Sequence, residues 1–158
     1  MESQNEYLFP DPGYQVIQAS TGKRFANYLI DHLIFYLLVF LISFFSVVLN
    51  PSYAETVYEE TAGSQLVETL LYLLLFVLYM FGTEALFKGK SLGKLITGTR
   101  AVNEDGSDIS AKTALLRGLS RIVPFEAFSA LGNPSYPWHD KWTNTYVIDE
   151  KASNRPQE

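Results

Sequence analysis

A polar stripe leads into the first long apolar segment of the chain and is its clearest candidate for chemistry. Arg24, Asn27 and Asp31 recur at helical spacing, so an α-helix would place them on one face. A carboxylate that faces lipid at the centre of a membrane helix costs about 2.5 to 3.5 kcal/mol on insertion scales, so such a group usually faces protein or water. Asp31 is therefore the first candidate functional residue, with structural pairing and ligand binding as equal alternatives.

Glu84 is a second carboxylate, at the end of the next apolar segment. In a helical hairpin it would lie at a depth similar to that of Asp31, and two carboxylates in a low-dielectric pocket can share a proton or hold a cation. The alternative for Glu84 is an interfacial carboxylate beside a basic loop. For Arg24 the alternatives are an interfacial anchor, a contact with Asp31 through Asn27 or water, or an ion pair with Asp140.

Metal chelation and phosphate-loop chemistry are not supported by the sequence. His32 and His139 each adjoin an aspartate, but neighbours on a helix point about 100° apart, and one histidine in each place falls short of a typical metal site. The GKS triplet at 89–91 lacks a phosphate-loop pattern, because Glu84 stands where that pattern needs a glycine. We expect no metal and no cofactor. We expect the basic side chains of this turn, Lys88, Lys90 and Lys94, to contact anionic lipid headgroups.

Two apolar segments, 29–49 and 66–86, are long enough to carry these residues across a membrane. About 20 helical residues cross the roughly 30 Å hydrocarbon layer, and we predict spans at about 25–49 and 66–87. The loop between them contains no Lys or Arg, whereas basic residues flank the pair of segments. The positive-inside rule therefore predicts that both ends of this hairpin face the cytoplasm.

Composition limits the classes of protein that the chain can belong to. Its 158 residues allow one domain, and its net charge of −5 argues against nucleic acid as a partner. The absence of cysteine excludes disulfides and thiolate metal sites. We predict a flexible cytoplasmic N-terminus over 1–18, which lacks the pattern of a cleaved signal peptide, a membrane domain over 19–148, and a flexible tail over 149–158.

Beyond the hairpin the sequence predicts a short β element. Residues 95–102 favour a strand and precede the turn signal Asp105-Gly106. A second β-rich run, 145–148, is a candidate for pairing with the first. Such pairing would form a short cytoplasmic β-hairpin-like element.

A third helical segment is predicted over 111–131, with Ser110 as its N-cap and Pro124 as an interruption. A third membrane crossing would bury Arg121 or Glu126 at a cost of a few kcal/mol each. We therefore favour an amphipathic or re-entrant helix on the cytoplasmic side over a third crossing. The predicted fold class is an all-α membrane protein: a two-span transmembrane helical hairpin, this third helix and the short β element.

The order of several motifs resembles that of the RDD family of small bacterial membrane proteins, over nearly everything from about residue 19 to 148. The motifs are Arg24 and Asp31, Glu84, GKSLGKLITGTRAV at 89–102, Asp105-Gly106, ALLRGLSR at 114–121, and His139-Asp140-Lys141 before Thr145. The resemblance implies that Arg24 is the family's arginine, and that Asp31 and Asp140 are its two aspartates. Asn144 departs from the family pattern, in which a glycine commonly precedes the final threonine. Transport of an unidentified ligand is the function usually suggested for this family.

Two functions are consistent with these observations. In the first, the chain is a multi-pass protein of the bacterial inner membrane that acts as an oligomer on a small cation or polar solute. The ligand or ion pathway would contain Arg24, Asp31, Glu84 and Asp140, supported by Asn27, His139 and Lys141. In the alternative, these charges form a structural clamp in a non-transporting scaffold or regulatory module. Because no pair of nucleophile and base is evident, we expect no enzyme. The expected partners are the lipid bilayer and either further copies or a membrane protein.

Overall fold

Two long apolar helices form the hairpin that the sequence predicts. The structure is a computed structural model, and it describes residues 16–52, 62–130, 132 and 135–153. Helix α1 covers Thr21–Leu49 and helix α2 covers Ala62–Leu86. Both are long and apolar enough to cross a membrane, so each predicted span corresponds to a candidate membrane-spanning helix. Residues 1–15, 154–158 and the acidic loop residues Glu55, Glu59 and Glu60 lie outside the described residues.

The two helices expose apolar surface that a soluble domain would bury. Leu33 is 59% exposed, Phe40 63% and Leu70 57%. Large continuous apolar patches of this kind are rare on monomeric soluble proteins. An apolar helix in the core of a soluble protein would be mostly buried, which these helices are not, so their surface is suited to lipid.

Aromatic side chains connect α1 to α2. The ring of Phe35 lies edge-on to the rings of Tyr72 and Phe76, with both centroid distances at 5.2 Å. Tyr36 stacks on Tyr72 at 6.1 Å. Edge-to-face and stacked pairs at these distances are favourable arrangements of aromatic rings. Large rings thus fill the space between the helices.

A small polar domain packs on one end of the hairpin, where α1 begins and α2 ends. Helix α3 packs against α1, and helix α4 packs against α2. Two further helices are single turns, and two strands form one antiparallel sheet. The elements are α3 (Leu92–Thr97), β1 (Thr99–Asn103), α4 (Ala111–Ser120), α5 (Glu126–Ser129), α6 (Trp138–Lys141) and β2 (Thr145–Asp149).

The predicted β pairing is confirmed, with a shorter first strand. Ala101 lies opposite Val147 in the antiparallel register, and Gly106, at φ 81°, lies in the predicted turn. The prediction of strand from residue 95 is wrong, because 95–97 belong to α3. Ser91 caps that helix, and Gly98 ends it with a left-handed backbone at φ 69°.

The third predicted helix is broken into two pieces. Its N-cap is confirmed, since the Ser110 hydroxyl accepts a hydrogen bond from the Thr113 amide at 3.1 Å. The helix stops at Ser120, four residues before Pro124, because a proline ring clashes with the carbonyl four residues earlier and supplies no amide hydrogen. A continuous helix over 111–131 is therefore wrong. Within the described ranges, no third helix is long enough to cross a membrane.

The packed domain includes residues at both edges of the predicted membrane domain. Val16 is buried against Val102 and Ile148, and the Asp149 amide donates to the carbonyl of Ile17 at 2.9 Å. Residues 16–18 therefore run beside β2, although the sequence analysis placed them in the flexible N-terminus. On the other side, the hydroxyl of Ser153 accepts from the Ile17 amide at 2.9 Å, so part of the predicted tail also packs.

We predict that Gly93→Ala destabilises the contact between α3 and α1. A Cβ atom at position 93 would lie 2.6 Å from the Asn27 carbonyl oxygen, so backbone must move. Overpacking of this kind costs about 1 to 3 kcal/mol, measured as a lower unfolding temperature in detergent. Gly82→Ala is the matched control, because a Cβ there meets nothing within 4 Å. Equal unfolding temperatures for the two variants would contradict the prediction.

Candidate functional site: a buried ion-pair network

Asp140 joins two helices to the C-terminal segment. Arg24 of α1 donates from Nη1 to Asp140 Oδ2, and Arg117 of α4 donates from Nη1 to Asp140 Oδ1 at 2.6 Å. The side chains of all three residues are 4% exposed or less. Charge-assisted hydrogen bonds of this type are about twice as strong as neutral ones. Asp140 therefore holds α1, α4 and α6 together.

Glu84 is the second carboxylate of the network and accepts from three cations. Arg117 Nε donates to its Oε2 at 2.8 Å. Lys94 Nζ donates to its Oε1 at 2.6 Å, and Arg121 Nη2 approaches the same oxygen at 3.3 Å. Arg117, with a fully buried side chain, thus bridges Glu84 of α2 and Asp140 of α6.

Asp31 has a separate set of donors, at the start of α3. Its two oxygens accept from the Ser91 hydroxyl at 2.5 Å and from the Gly93 amide at 2.7 Å. The first amides of a helix lack partners within that helix, so a carboxylate here satisfies a donor that burial would leave unpaired. The side-chain amide of Asn27 lies 2.5 Å from the Thr97 hydroxyl. The stripe on α1 therefore docks α3.

His139 extends the network towards α5. Its Nδ1 lies 2.5 Å from Glu126 Oε1, and its Nε2 lies 3.5 Å from Asp140 Oδ1. Burial, together with the charge of Arg121, lowers the pKa of His139 to about 4. The ring is therefore neutral at pH 7, with the Nδ1 proton donated to Glu126.

The other network groups outside the membrane spans are charged at neutral pH. Burial opposes ionisation of Asp140, but the charge of Arg117 and the nearby Arg24 outweigh it and hold the pKa of that carboxyl well below its usual range. Burial lowers the pKa of Lys94 to about 8, although the charge of Glu84 opposes this. Buried charges are tolerated only when they are paired in this way.

The structure brings together most of the residues that the sequence singled out. Arg24, Glu84 and Asp140 belong to one network, and the alternative in which Arg24 pairs with Asp140 is the one that the structure shows. Asp31 and Glu84 accept hydrogen bonds from different donors, and a shared proton or cation site stays a prediction. Lys141 is exposed and lies outside the network.

The sequence analysis missed Lys94 and Arg117. We expected Lys94 to contact lipid headgroups, but it is 2% exposed and binds Glu84. Arg117 was noted as part of the motif at 114–121, without a role of its own. The signal for its burial is the small residue Gly118 beside it, where a Cβ atom would lie 3.2 Å from the Val77 carbonyl oxygen. Such close approach of α4 to α2 leaves Arg117 no path to solvent.

A cavity of about 330 Å³ lies beside the network, between α1 and the α5–α6 region. Arg24 and Asp31 contribute to its wall from α1, and Arg121, Glu126 and His139 contribute from the other side. Phe25 and Phe128 also line it. Four of the residues that the sequence predicted for a ligand site thus border one open volume: Arg24, Asn27, Asp31 and His139.

Two apolar helices tied to a polar domain by buried arginine–carboxylate pairs define a small membrane-type protein. The chain belongs to the RDD family, whose model matches residues 18–144, and the resemblance seen in the sequence is thereby confirmed. No curated protein and no solved structure is detectably similar to the chain. Asn144 has a left-handed backbone at φ 50°, a conformation that glycine adopts freely and asparagine tolerates.

We predict that His139 makes stability fall as the pH falls from about 6.5 to about 4. In this interval the unfolded chain binds a proton at His139 and the folded chain does not, because the folded pKa is the lower one. The measurement is the unfolding temperature across this range for the wild type and His139→Asn, whose amide can still donate to Glu126. The difference between the two should change with pH, and parallel curves would contradict the prediction.

Proposed function

We propose that the protein is a membrane scaffold in which the buried charges clamp a polar domain onto a two-span anchor. We expect no catalytic activity. The two anchor helices expose their apolar sides to lipid and to other membrane helices. Further copies of the chain, or a membrane protein, would bind there. The charged residues have a structural role, because their ion pairs fix the position of the polar domain at the membrane face.

Arg117 carries this proposal. One guanidinium group donates to carboxylates from α2 and α6, and Asp140 then connects to α1 through Arg24. Removal of Asp140 leaves Arg24 without a carboxylate partner, and removal of Glu84 leaves Lys94 without one. An unpaired buried charge costs about 3 to 5 kcal/mol. A clamp of this strength suits a rigid attachment between membrane helices and a surface domain.

Exchange of cations or protons is less well supported by the geometry. A site for a mobile cation needs carboxylate oxygens that are free to bind it. Glu84 is instead bound by Lys94, Arg117 and Arg121. Any further cation at this carboxylate would be repelled by the positive charges of these three side chains.

Transport of a small polar solute remains the second candidate function. The observation that favours it is the cavity of about 330 Å³, whose wall includes Arg24 and Asp31. Two membrane helices cannot enclose a pathway, so this function requires an oligomer. The variant Asp31→Asn separates the two candidates. If the protein is a transporter, the variant folds normally and loses transport of the solute. If the charges form only a clamp, neither the wild type nor the variant transports the solute.

The distribution of charge supports the orientation that we propose. We propose that the chain lies in the bacterial inner membrane with the N-terminus, the polar domain and the C-terminus in the cytoplasm. The loop between the spans holds Glu55, Glu59 and Glu60 without any Lys or Arg, and basic residues flank the hairpin on the other side. The polar domain packs at that basic end.

We predict that Arg117→Gln lowers the free energy of unfolding by about 3 to 5 kcal/mol, because it removes the hydrogen bonds to Glu84 and to Asp140, and each hydrogen bond to a charged group contributes about 1.5 to 3 kcal/mol. The measurement is chemical unfolding in detergent micelles. Arg100→Gln is the control. Arg100 also bridges two carboxylates, those of Asp108 and Glu150, but its side chain is 21% exposed. Its loss should cost no more than about 1 kcal/mol.

The same variants separate the clamp from the transporter. Proteoliposomes that contain the wild type are tested for movement of Na⁺, K⁺, protons and amino acids, with Asp31→Asn alongside. The clamp predicts no flux above empty liposomes and a large stability loss in Arg117→Gln. Flux that Asp31→Asn abolishes without loss of stability would overturn the clamp and support transport.

We predict that both ends of the hairpin face the cytoplasm. The chain contains no cysteine, so single cysteines can be introduced without background. Glu59→Cys in the acidic loop should react in intact cells with a maleimide that cannot cross membranes. Ser107→Cys in the polar domain should react only after the cells are broken. The reverse pattern would contradict the orientation.

A further inference from the structure

Arg121 contributes to the walls of two cavities that have no role in the proposed clamp. The first, of about 330 Å³, and a second, of about 180 Å³, share Tyr28, Arg121, Glu126 and Ala127 in their walls. Ligand sites in proteins commonly start at roughly 300 Å³. The larger cavity is therefore of the right size for a small polar group.

The guanidinium group of Arg121 has an N–H group without a hydrogen-bond partner among the described residues. Its contact with Glu84, at 3.3 Å, is the longest of the three that this carboxylate receives. Its Nε is buried, and the part of the chain that the structure describes gives it no hydrogen-bond partner. A guanidinium group has five N–H donors in a planar fork that matches phosphate and carboxylate oxygens. Arg121 lies in the wall of the cavity, so a phosphate or carboxylate group there would lie beside this guanidinium group.

Two carboxylates in the wall of the same cavity receive neutral donors. Asp31 accepts from the Ser91 hydroxyl and the Gly93 amide. Glu126 accepts from His139, which burial keeps neutral at pH 7. The other cations of the wall, Arg24 and Lys94, are paired with carboxylates outside it. The cavity thus combines a guanidinium group that has free donors with carboxylates that can attract a cation.

The lining of the cavity connects to the lipid-facing surface. Phe25 is 56% exposed and Phe128 is 67% exposed. Phe25 lies one helical turn before Leu29, which is 47% exposed on α1. A ligand with an apolar tail would therefore keep that tail in contact with apolar side chains while its polar end entered the cavity.

We propose that this cavity binds a phosphoethanolamine group, with Arg121 donating to the phosphate oxygens and Asp31 and Glu126 accepting from the ammonium group. The group has two sources, the headgroup of phosphatidylethanolamine and soluble phosphoethanolamine, and the apolar rim favours the lipid. A primary ammonium group offers three N–H donors to the carboxylates. The quaternary ammonium group of phosphatidylcholine offers none, and phosphatidylglycerol has no cation. The site therefore distinguishes the three lipids.

The test uses the purified full chain in nanodiscs of phosphatidylcholine alone, or mixed with phosphatidylethanolamine or phosphatidylglycerol. We expect the highest unfolding temperature with phosphatidylethanolamine, and selective retention of that lipid in native mass spectrometry. A second arm adds phosphoethanolamine, phosphocholine or inorganic phosphate to delipidated protein in detergent. Stabilisation by phosphoethanolamine above the other two supports the same chemistry, and identifies a soluble source if phosphatidylethanolamine has no effect.

Two variants test the role of Arg121, which is the C-cap of α4. Arg121→Gln should weaken binding by roughly tenfold or more, since hydrogen bonds to charged groups are lost. Lys112→Gln removes the same charge from an exposed position on α4 and should bind as the wild type does. The proposal is overturned if the wild type responds equally to all three lipids and to none of the soluble compounds, or if Arg121→Gln binds unchanged. If Arg121→Gln fails to fold, the comparison of the three lipids with the wild type tests the proposal by itself.

Discussion

The pairing of Arg117 with two buried carboxylates is the interaction on which the rest of the structure depends. A guanidinium group presents donors in a fixed plane, so it can hold one carboxylate from Nε and another from Nη1. Because Glu84 comes from a membrane helix and Asp140 from the C-terminal segment, this geometry fixes where the polar domain lies relative to the anchor. Arg24, Lys94 and Arg121 add connections to the same two carboxylates.

Charge pairing replaces much of the apolar core that a soluble domain of this size would have. The apolar surface of α1 and α2 faces outwards, so it contributes little to packing within the chain. Small clusters such as Val16, Val102 and Ile148 support the sheet. The contacts between the polar domain and the hairpin include buried hydrogen bonds and ion pairs, which are directional and therefore specify one arrangement.

The sequence predicted features that depend on local pattern. The two spans follow from the length of the apolar segments, and the Ser110 cap and the pairing of the two β-rich runs follow from residue type. The pair of Arg24 with Asp140 was one of several alternatives, because pattern alone does not give distances between segments 116 residues apart. Arg117 and Lys94 were missed because a basic residue in an amphipathic or loop segment is normally solvated, and only the tertiary packing of α3 and α4 buries these two.

The sequence separation within the clamp has a consequence for biosynthesis. Arg24 and Glu84 emerge from the ribosome well before Asp140, and both spans precede it. During this interval the growing chain carries charges in its membrane hairpin whose final partner has not been made. The native arrangement can close only after Asp140 has been synthesised, so the hairpin precedes the clamp. Order of synthesis thus sets the moment at which the anchor and the surface domain become one unit.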